Sequence, residues 1–173
     1  ECTIAKDRTG YCQVRTNIEG VLYTTIYNKV SSVAIDPIEK KPLFHFYPGR
    51  PILSMGSLGC NMRCKHCQNY KISQPDRPGA QRVADTFTVE DMVETAKEND
   101  CELISWTYNE PIIWYDYVLA SMKAAKEAGL KTVLVTNGFI NLDPLKEWAP
   151  YVDAMSIDLK GFSAKSYKDL TGV

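Results

Sequence analysis

The chain has 173 residues, 45% hydrophobic and 24% charged, with 20 Lys and Arg against 21 Asp and Glu for a formal net charge of -1. That composition belongs to an ordinary globular protein and leaves no charge excess to hold a nucleic-acid backbone or an anionic membrane. No apolar run approaches the roughly 18 residues of a membrane helix, and Glu1-Cys2-Thr3-Ile4 lacks a signal peptide's layout, so a cytoplasmic protein is expected.

Residues 1–50 carry turn signals at Thr9-Gly10, Glu19-Gly20 and Asn28-Lys29 around the β-rich runs Val21 to Tyr27 and Val30 to Ile35. They predict a small β-hairpin region. The Pro- and Gly-interrupted stretch from Asp36 to Gly49 marks a boundary near residue 50.

From Pro51 the pattern alternates. Strand Ile52 to Ser57 is followed by a long loop, helix Thr88 to Asn99, strand Glu102 to Thr107, and helix Ile113 to Ala128 ended by Gly129. Strand Lys131 to Thr136, helix Asp143 to Trp148 and strand Ala154 to Leu159 complete the series. Thr88 with Asp91 forms a capping box, and Gly129 stands where a C-terminal cap belongs. On the helix from Ile113, the residues Tyr117, Ala120, Met122, Ala124 and Ala128 are expected to form the apolar face. Successive βα units imply an α/β fold with a parallel sheet and helical crossovers. A complete (β/α)8 barrel takes about 250 residues, so residues 51–173 predict about four βα units of a partial barrel, and a fragment of a longer protein. An open parallel sheet of this kind exposes two edges and needs more chain, another chain or a covering segment.

Three of the six cysteines, Cys60, Cys64 and Cys67, lie in one loop after the first of these strands, at the sheet edge where parallel α/β folds place their chemistry. The C-x3-C-x2-C spacing lets three thiolates converge from one tight loop, and soft thiolates suit zinc or an iron–sulfur cluster. No fourth Cys lies nearby in sequence. Zinc with His66 or a remote Cys as fourth ligand, and unrelated free thiols, remain the alternatives. A cluster with three protein ligands would leave one iron open, which makes a metal site catalytic rather than structural.

Polar groups cluster at the ends of the later strands. Thr107 to Pro111 follows the second, where Asn109 to Pro111 could equally be a helix N-terminus. The third ends in Val135-Thr136-Asn137-Gly138, which alone is a common turn. In the fourth, alternation turns Ser156, Asp158 and Lys160 to one side, either inward or as a strand end fraying into solvent. Cys101, Trp106 and Trp114 read as core.

The cysteine loop, with DPIEKKPLFHFYPG at 36–49 and LSMGSLGCNMRCKHCQNYKIS at 53–73, resembles the radical S-adenosylmethionine (SAM) enzymes. Within them it is similar to a branch related to pyruvate formate-lyase activating enzymes, often called the AmmeMemoRadiSam-system radical SAM enzyme. The resemblance runs along the whole chain. It implies that Cys60, Cys64 and Cys67 hold a [4Fe-4S] cluster whose fourth iron chelates S-adenosyl-L-methionine, with His66 near the adenine or simply on the surface. It also implies reductive cleavage of SAM, with an electron from an external one-electron reductant of flavodoxin or ferredoxin type. The resulting 5′-deoxyadenosyl radical would take hydrogen from a substrate, in the activating enzymes a glycine of a partner protein. Residue by residue, Glu110 supplies a carboxylate to the methionine ammonium, although Tyr108-Asn109-Glu110 stands where relatives have Gly-Gly-Glu. Asn109, Thr136 and Asn137 become cofactor contacts, while Val135 replaces an Asp that can help hold a cation. Asp158 and Lys160 match an Asp-Leu-Lys segment facing cofactor or substrate. Cys2 and Cys12 match the last two cysteines of an N-terminal four-Cys pattern. A zinc-stabilised interaction module and a passive iron–sulfur electron carrier are the readings from other classes.

Overall fold

A computed structural model describes residues 2–81 and 83–173. Its strands are β1 (Arg15–Ile18), β2 (Val21–Thr24), β3 (Lys29–Val30), β4 (Ser32–Pro37), β5 (Pro51–Gly56), β6 (Asp85–Thr86), β7 (Leu103–Trp106), β8 (Lys131–Thr136) and β9 (Ala154–Ile157). Its helices are α1 (Tyr70–Ser73), α2 (Val89–Glu98), α3 (Tyr115–Glu127), α4 (Leu142–Trp148) and α5 (Ala164–Thr171). The main sheet has the order β4-β5-β7-β8-β9, with β5, β7, β8 and β9 parallel and β4 antiparallel to β5. This is the α/β architecture with parallel strands that the alternation implies. The N-terminal segment supplies the cover for one sheet edge, because β4 pairs along the whole length of β5.

The β-rich run Val21 to Tyr27 is strand only as far as Thr24, and β2 pairs with β1 around the turn signal Glu19-Gly20. Both loop residues have positive φ, 51° and 94°, as the two-residue turns that match strand twist require. Ile26 leaves strand geometry because its carbonyl accepts the buried Trp114 Nε1–H at 2.7 Å, and Asn28 then turns the chain with φ 55°.

Alternation divides the sheet into two faces. Leu53, Met55, Ile104, Trp106 and Leu134 pack against α2 and α3 in the main core. On the opposite face, Ile52, Leu103 and Val133 form a smaller apolar layer with Ile38, closed by Leu43, Phe46 and Tyr47. Above that floor the same face turns polar with Ser54 and Ser105, hydroxyl to hydroxyl at 3.4 Å. The polar side of the sheet thus opens only toward the C-terminal ends of the strands.

The helix termini follow local chemistry. Thr88 and Asp91 form the reciprocal capping box before α2, and Gly129 takes φ 77° after α3. The helix expected from Ile113 begins instead as a 3-10 turn, Pro111–Trp114, because the Glu110 side chain caps Ile112 N–H ahead of Pro111. Its buried face is Tyr117, Val118, Ser121, Met122 and Ala125, not the alanine-rich stripe expected. Trp114 stacks on Tyr117 at 4.2 Å, which rotates the aromatic side inward. Cys101, Trp106 and Trp114 are core residues as read. No helix among the described residues is long and apolar enough to cross a membrane.

Candidate active site

The loop that follows β5 is built to present its cysteines. Gly59 has φ 86°, and a Cβ there would sit 2.4 Å from the Cys12 carbonyl oxygen and 2.9 Å from Val14. Only glycine passes that point without strain. Asn109 then clamps the approach to the loop, its Oδ1 accepting from Ser57 N–H at 3.0 Å and its Nδ2 donating to the Gly59 carbonyl at 2.9 Å. Asn137 Nδ2 donates to Asn61 Oδ1 at 2.7 Å, and Asn69 Nδ2 donates to the Tyr108 carbonyl at 2.6 Å. The far side of the loop is held by α5, whose Thr171 and Leu170 carbonyls accept from Arg63 N–H and Lys65 N–H at 2.7 and 2.9 Å.

Cys60, Cys64 and Cys67 open into one cavity of about 830 Å³ at the C-terminal ends of the parallel strands. His66, Asn109, Glu110, Thr136, Asn137, Asp158 and Lys160, the residues read as cofactor contacts, line the same cavity. Ser156 does not, although alternation grouped it with Asp158 and Lys160. Its strand, β9, ends at Ile157 rather than Leu159. Beyond that point Lys160 N–H turns to the Tyr167 hydroxyl at 3.2 Å, and its Nζ pairs with Asp158 Oδ2 at 2.8 Å.

Glu110 is the most constrained of these groups, 3% exposed. Its Oε1 accepts from Ile112 N–H at 3.0 Å and the Thr136 hydroxyl at 2.7 Å, and its Oε2 accepts from Asn137 N–H at 2.8 Å. Burial pushes its pKa up to about 7 against the pull of these three donors. Oε2 keeps capacity for a further donor. Thr136 and Asn137, expected only as cofactor contacts, spend their polar groups on Glu110 and on the cysteine loop.

The thiols suit a soft cationic partner. Burial pushes Cys60 up to about 12, with the Glu110 charge adding to it, and burial raises Cys64 against the nearby Lys160. A bound cation would reverse that order by stabilising the thiolates. Met62 N–H donates to Cys60 Sγ at 3.4 Å, and Cys67 Sγ lies 3.1 Å from the Ser73 hydroxyl. Among the described residues no three His, Cys, Asp or Glu side chains converge on a single point. Convergence is what one ion demands, whereas a four-iron cluster binds each thiolate through a different iron. The donor set of three soft thiols on one loop therefore fits such a cluster.

A parallel α/β sheet with a three-cysteine loop at the C-terminal end of its first parallel strand defines an iron–sulfur class of α/β protein. The chain belongs to the radical SAM superfamily, whose family model matches residues 56–173. Members of that superfamily use a [4Fe-4S] cluster and S-adenosyl-L-methionine. An uncharacterized protein of Methanocaldococcus jannaschii is 48% identical over 169 residues, covering 96% of this chain and 49% of that protein. A 7-carboxy-7-deazaguanine synthase of Thermococcus kodakarensis is 28% identical over 140 residues, 72% of this chain and 55% of the enzyme. The pyruvate formate-lyase 1-activating enzyme of Escherichia coli is 28% identical over 130 residues, 66% of this chain and 48% of the enzyme. The chain spans about half the length of these relatives.

Sequence reasoning passed over several cavity groups. Asp36, Lys40, Lys41 and Tyr108 line it, as does Asn69. Asp36 to Pro42 reads as a charged, Pro-punctuated boundary, and nothing local reveals that β4 turns Asp36 inward. Cys2 is exposed and Cys12 half-buried, both as free thiols.

Proposed function

We propose that this chain carries the cluster-binding half of a radical SAM active site, with Cys60, Cys64 and Cys67 as the three protein ligands of a [4Fe-4S] cluster. The observation that carries the reading is that these cysteines share one 830 Å³ cavity with Glu110, Asp158 and Lys160. When bound, the cluster and S-adenosyl-L-methionine supply one-electron cleavage of the cofactor's carbon–sulfur bond and an adenosyl radical able to take hydrogen from a substrate. The chain's own residues position and neutralise. Glu110 Oε2 offers its remaining acceptor capacity to the methionine ammonium, and the Asp158–Lys160 pair presents both signs of charge at the rim. His66, exposed beside Cys67, borders the adenine. Asn109 and Asn137 act as positioning residues, fixing the loop so that the thiols stay on the cavity side.

The electron comes from an external reductant of flavodoxin or ferredoxin type, and the protein works in the cytoplasm. A second reading concerns the substrate. Similarity to pyruvate formate-lyase 1-activating enzyme favours hydrogen removal from a glycine of a partner protein.

The test is anaerobic reconstitution with iron and sulfide, reduction by dithionite, addition of S-adenosyl-L-methionine, and chromatography of 5′-deoxyadenosine. Product should form with the unaltered chain and vanish in each of the Cys60→Ala, Cys64→Ala and Cys67→Ala variants. A colourless zinc protein, or a coloured one that yields no product and ignores the cofactor, would replace this reading by a structural module or an electron carrier.

A further inference from the structure

The cavity has a second wall whose charged groups take no part in the reading above. Ala34 and Asp36 face it from β4, and Lys40 and Lys41 follow from the 3-10 turn Ile38–Lys40. The Asp36 carboxylate is 6% exposed. It accepts from Lys41 Nζ at 2.8 Å and the Tyr108 hydroxyl at 2.9 Å on Oδ2, and from Lys40 Nζ at 2.9 Å on Oδ1. Three of its roughly four acceptor sites are filled, and it acts by holding those donors in place.

Tyr108 reaches Asp36 from the opposite end of the neighbouring strand pair. It does so in the left-handed region, φ 68°, uncommon for an aromatic residue. Gly56 makes room, since a Cβ there would lie 2.9 Å from the Thr107 carbonyl oxygen and 3.0 Å from Tyr108 Cβ. Lys41 Nζ sits 5.0 Å over the Tyr108 ring. Two stretches of chain far apart in sequence, 36–41 and Tyr108, thus converge on one ion cluster around the buried Asp36.

The cluster is not there for stability alone, because a buried ion pair is commonly replaceable by apolar side chains without loss. Two ammonium groups against one carboxylate leave this wall with a charge of +1. Lys41 is 2% exposed and has three N–H donors, of which one reaches Asp36 and none meets another acceptor among the described residues. Lys40, paired to Asp36 Oδ1, keeps 66% of its side chain exposed at the outer edge of this wall. The carboxylates Glu110 and Asp158 occupy the β7 and β9 side of the same cavity, with Lys160 paired to Asp158. The cavity is therefore asymmetric: the β4 wall carries an excess positive charge, whereas across from it the Asp158 charge is offset by Lys160.

We propose that Lys40 and Lys41, oriented by Asp36 and Tyr108, form a substrate subsite for an anionic oxygen group, a carboxylate or phosphate. Lys41 donates its spare N–H groups to the anion, Lys40 closes over it, and the rest of the substrate extends toward the cysteine loop. That the anion belongs to a substrate rests on the function proposed above. That this wall binds an anion does not.

The test is a titration of the isotope-labelled chain, followed by amide proton–nitrogen correlation spectra, with inorganic phosphate in one arm and acetate in another. Ionic strength is held constant with sodium chloride. Saturable shifts at Asp36, Lys41 and Tyr108 are expected. Loss of one charge-assisted contact should weaken binding at least about tenfold in Lys41→Met and about threefold in the exposed Lys40→Gln. Tighter acetate assigns a carboxylate, tighter phosphate a phosphate. Shifts that chloride reproduces, or variants that bind like the unaltered chain, overturn the subsite, as does displacement of phosphate by S-adenosyl-L-methionine on the reconstituted protein. If Lys41→Met does not fold, Lys40→Gln decides: unchanged binding rejects the proposal. Cluster assembly, read separately by visible absorption, keeps a failure of the subsite distinct from a failure of the proposed function.

Discussion

Glu110→Gln in the cluster-free protein gives the sharpest physical prediction. Burial raises the Glu110 pKa from 4.5 to about 7 in the folded chain. At about 1.36 kcal/mol per pKa unit, that difference corresponds to about 3 kcal/mol. Below the unfolded value both states hold the proton and the group contributes nothing. Between pH 4.5 and about 7 the unfolded chain releases its proton while the folded chain keeps it, so stability falls as pH rises. Above about pH 7 both forms are ionised, and the folded state stays less stable by the full amount. Glutamine keeps the shape and cannot titrate. Urea unfolding under reducing, anaerobic conditions at a series of pH values from 4.5 to 8 should show the unaltered chain losing about 3 kcal/mol relative to the variant. The amide meeting the Asn137 N–H adds an offset that does not vary with pH. A stability difference independent of pH would refute the picture of a buried, proton-holding carboxylate.

Asp36→Leu alone strands the Lys41 ammonium and should cost about 3–5 kcal/mol in urea unfolding, whereas Asp36→Leu with Lys41→Met should recover most of it; no recovery would make the pair a structural bond. Gly59→Ala forces a left-handed alanine against the Cys12 carbonyl, costing about 1–2 kcal/mol from the backbone alone, and iron bound per chain should drop. Asn109→Ala removes two ties to the cysteine loop, worth about 1 kcal/mol each. Its cluster should be lost to a chelator faster than that of the unaltered protein, and equal rates would remove Asn109 from a positioning role.

Local chemistry made much of the fold readable. The capping box at Thr88 and Asp91, the glycine at 129 and the β-rich runs after Pro51 each act within a few residues, and the structure keeps all of them. The spacing of Cys60, Cys64 and Cys67 was readable because a single loop supplies all three donors. What escaped depends on partners distant in sequence. The run Val30 to Ile35 reads as β-rich, but its antiparallel pairing with β5 has no local signal. Asp36 and Lys41 read only as part of a Pro- and Gly-interrupted boundary, whereas the Tyr108 hydroxyl, 72 positions from Asp36, joins them in a cavity wall. Asn109, Thr136 and Asn137 line the cavity, but their hydrogen bonds to the loop and to Glu110 could come only from three-dimensional register. The early end of β9 has the same origin, since the Lys160 N–H is taken by Tyr167 of the following helix.

The central claim, a cluster held by Cys60, Cys64 and Cys67 with one iron open to the cofactor, is tested most directly by electron paramagnetic resonance. The protein is reconstituted anaerobically, reduced with dithionite, and measured with and without S-adenosyl-L-methionine. The account predicts a reduced-cluster signal that changes shape and g values when the cofactor is added. A cluster signal identical in both samples, or iron binding that survives replacement of the three cysteines by alanine, would contradict it.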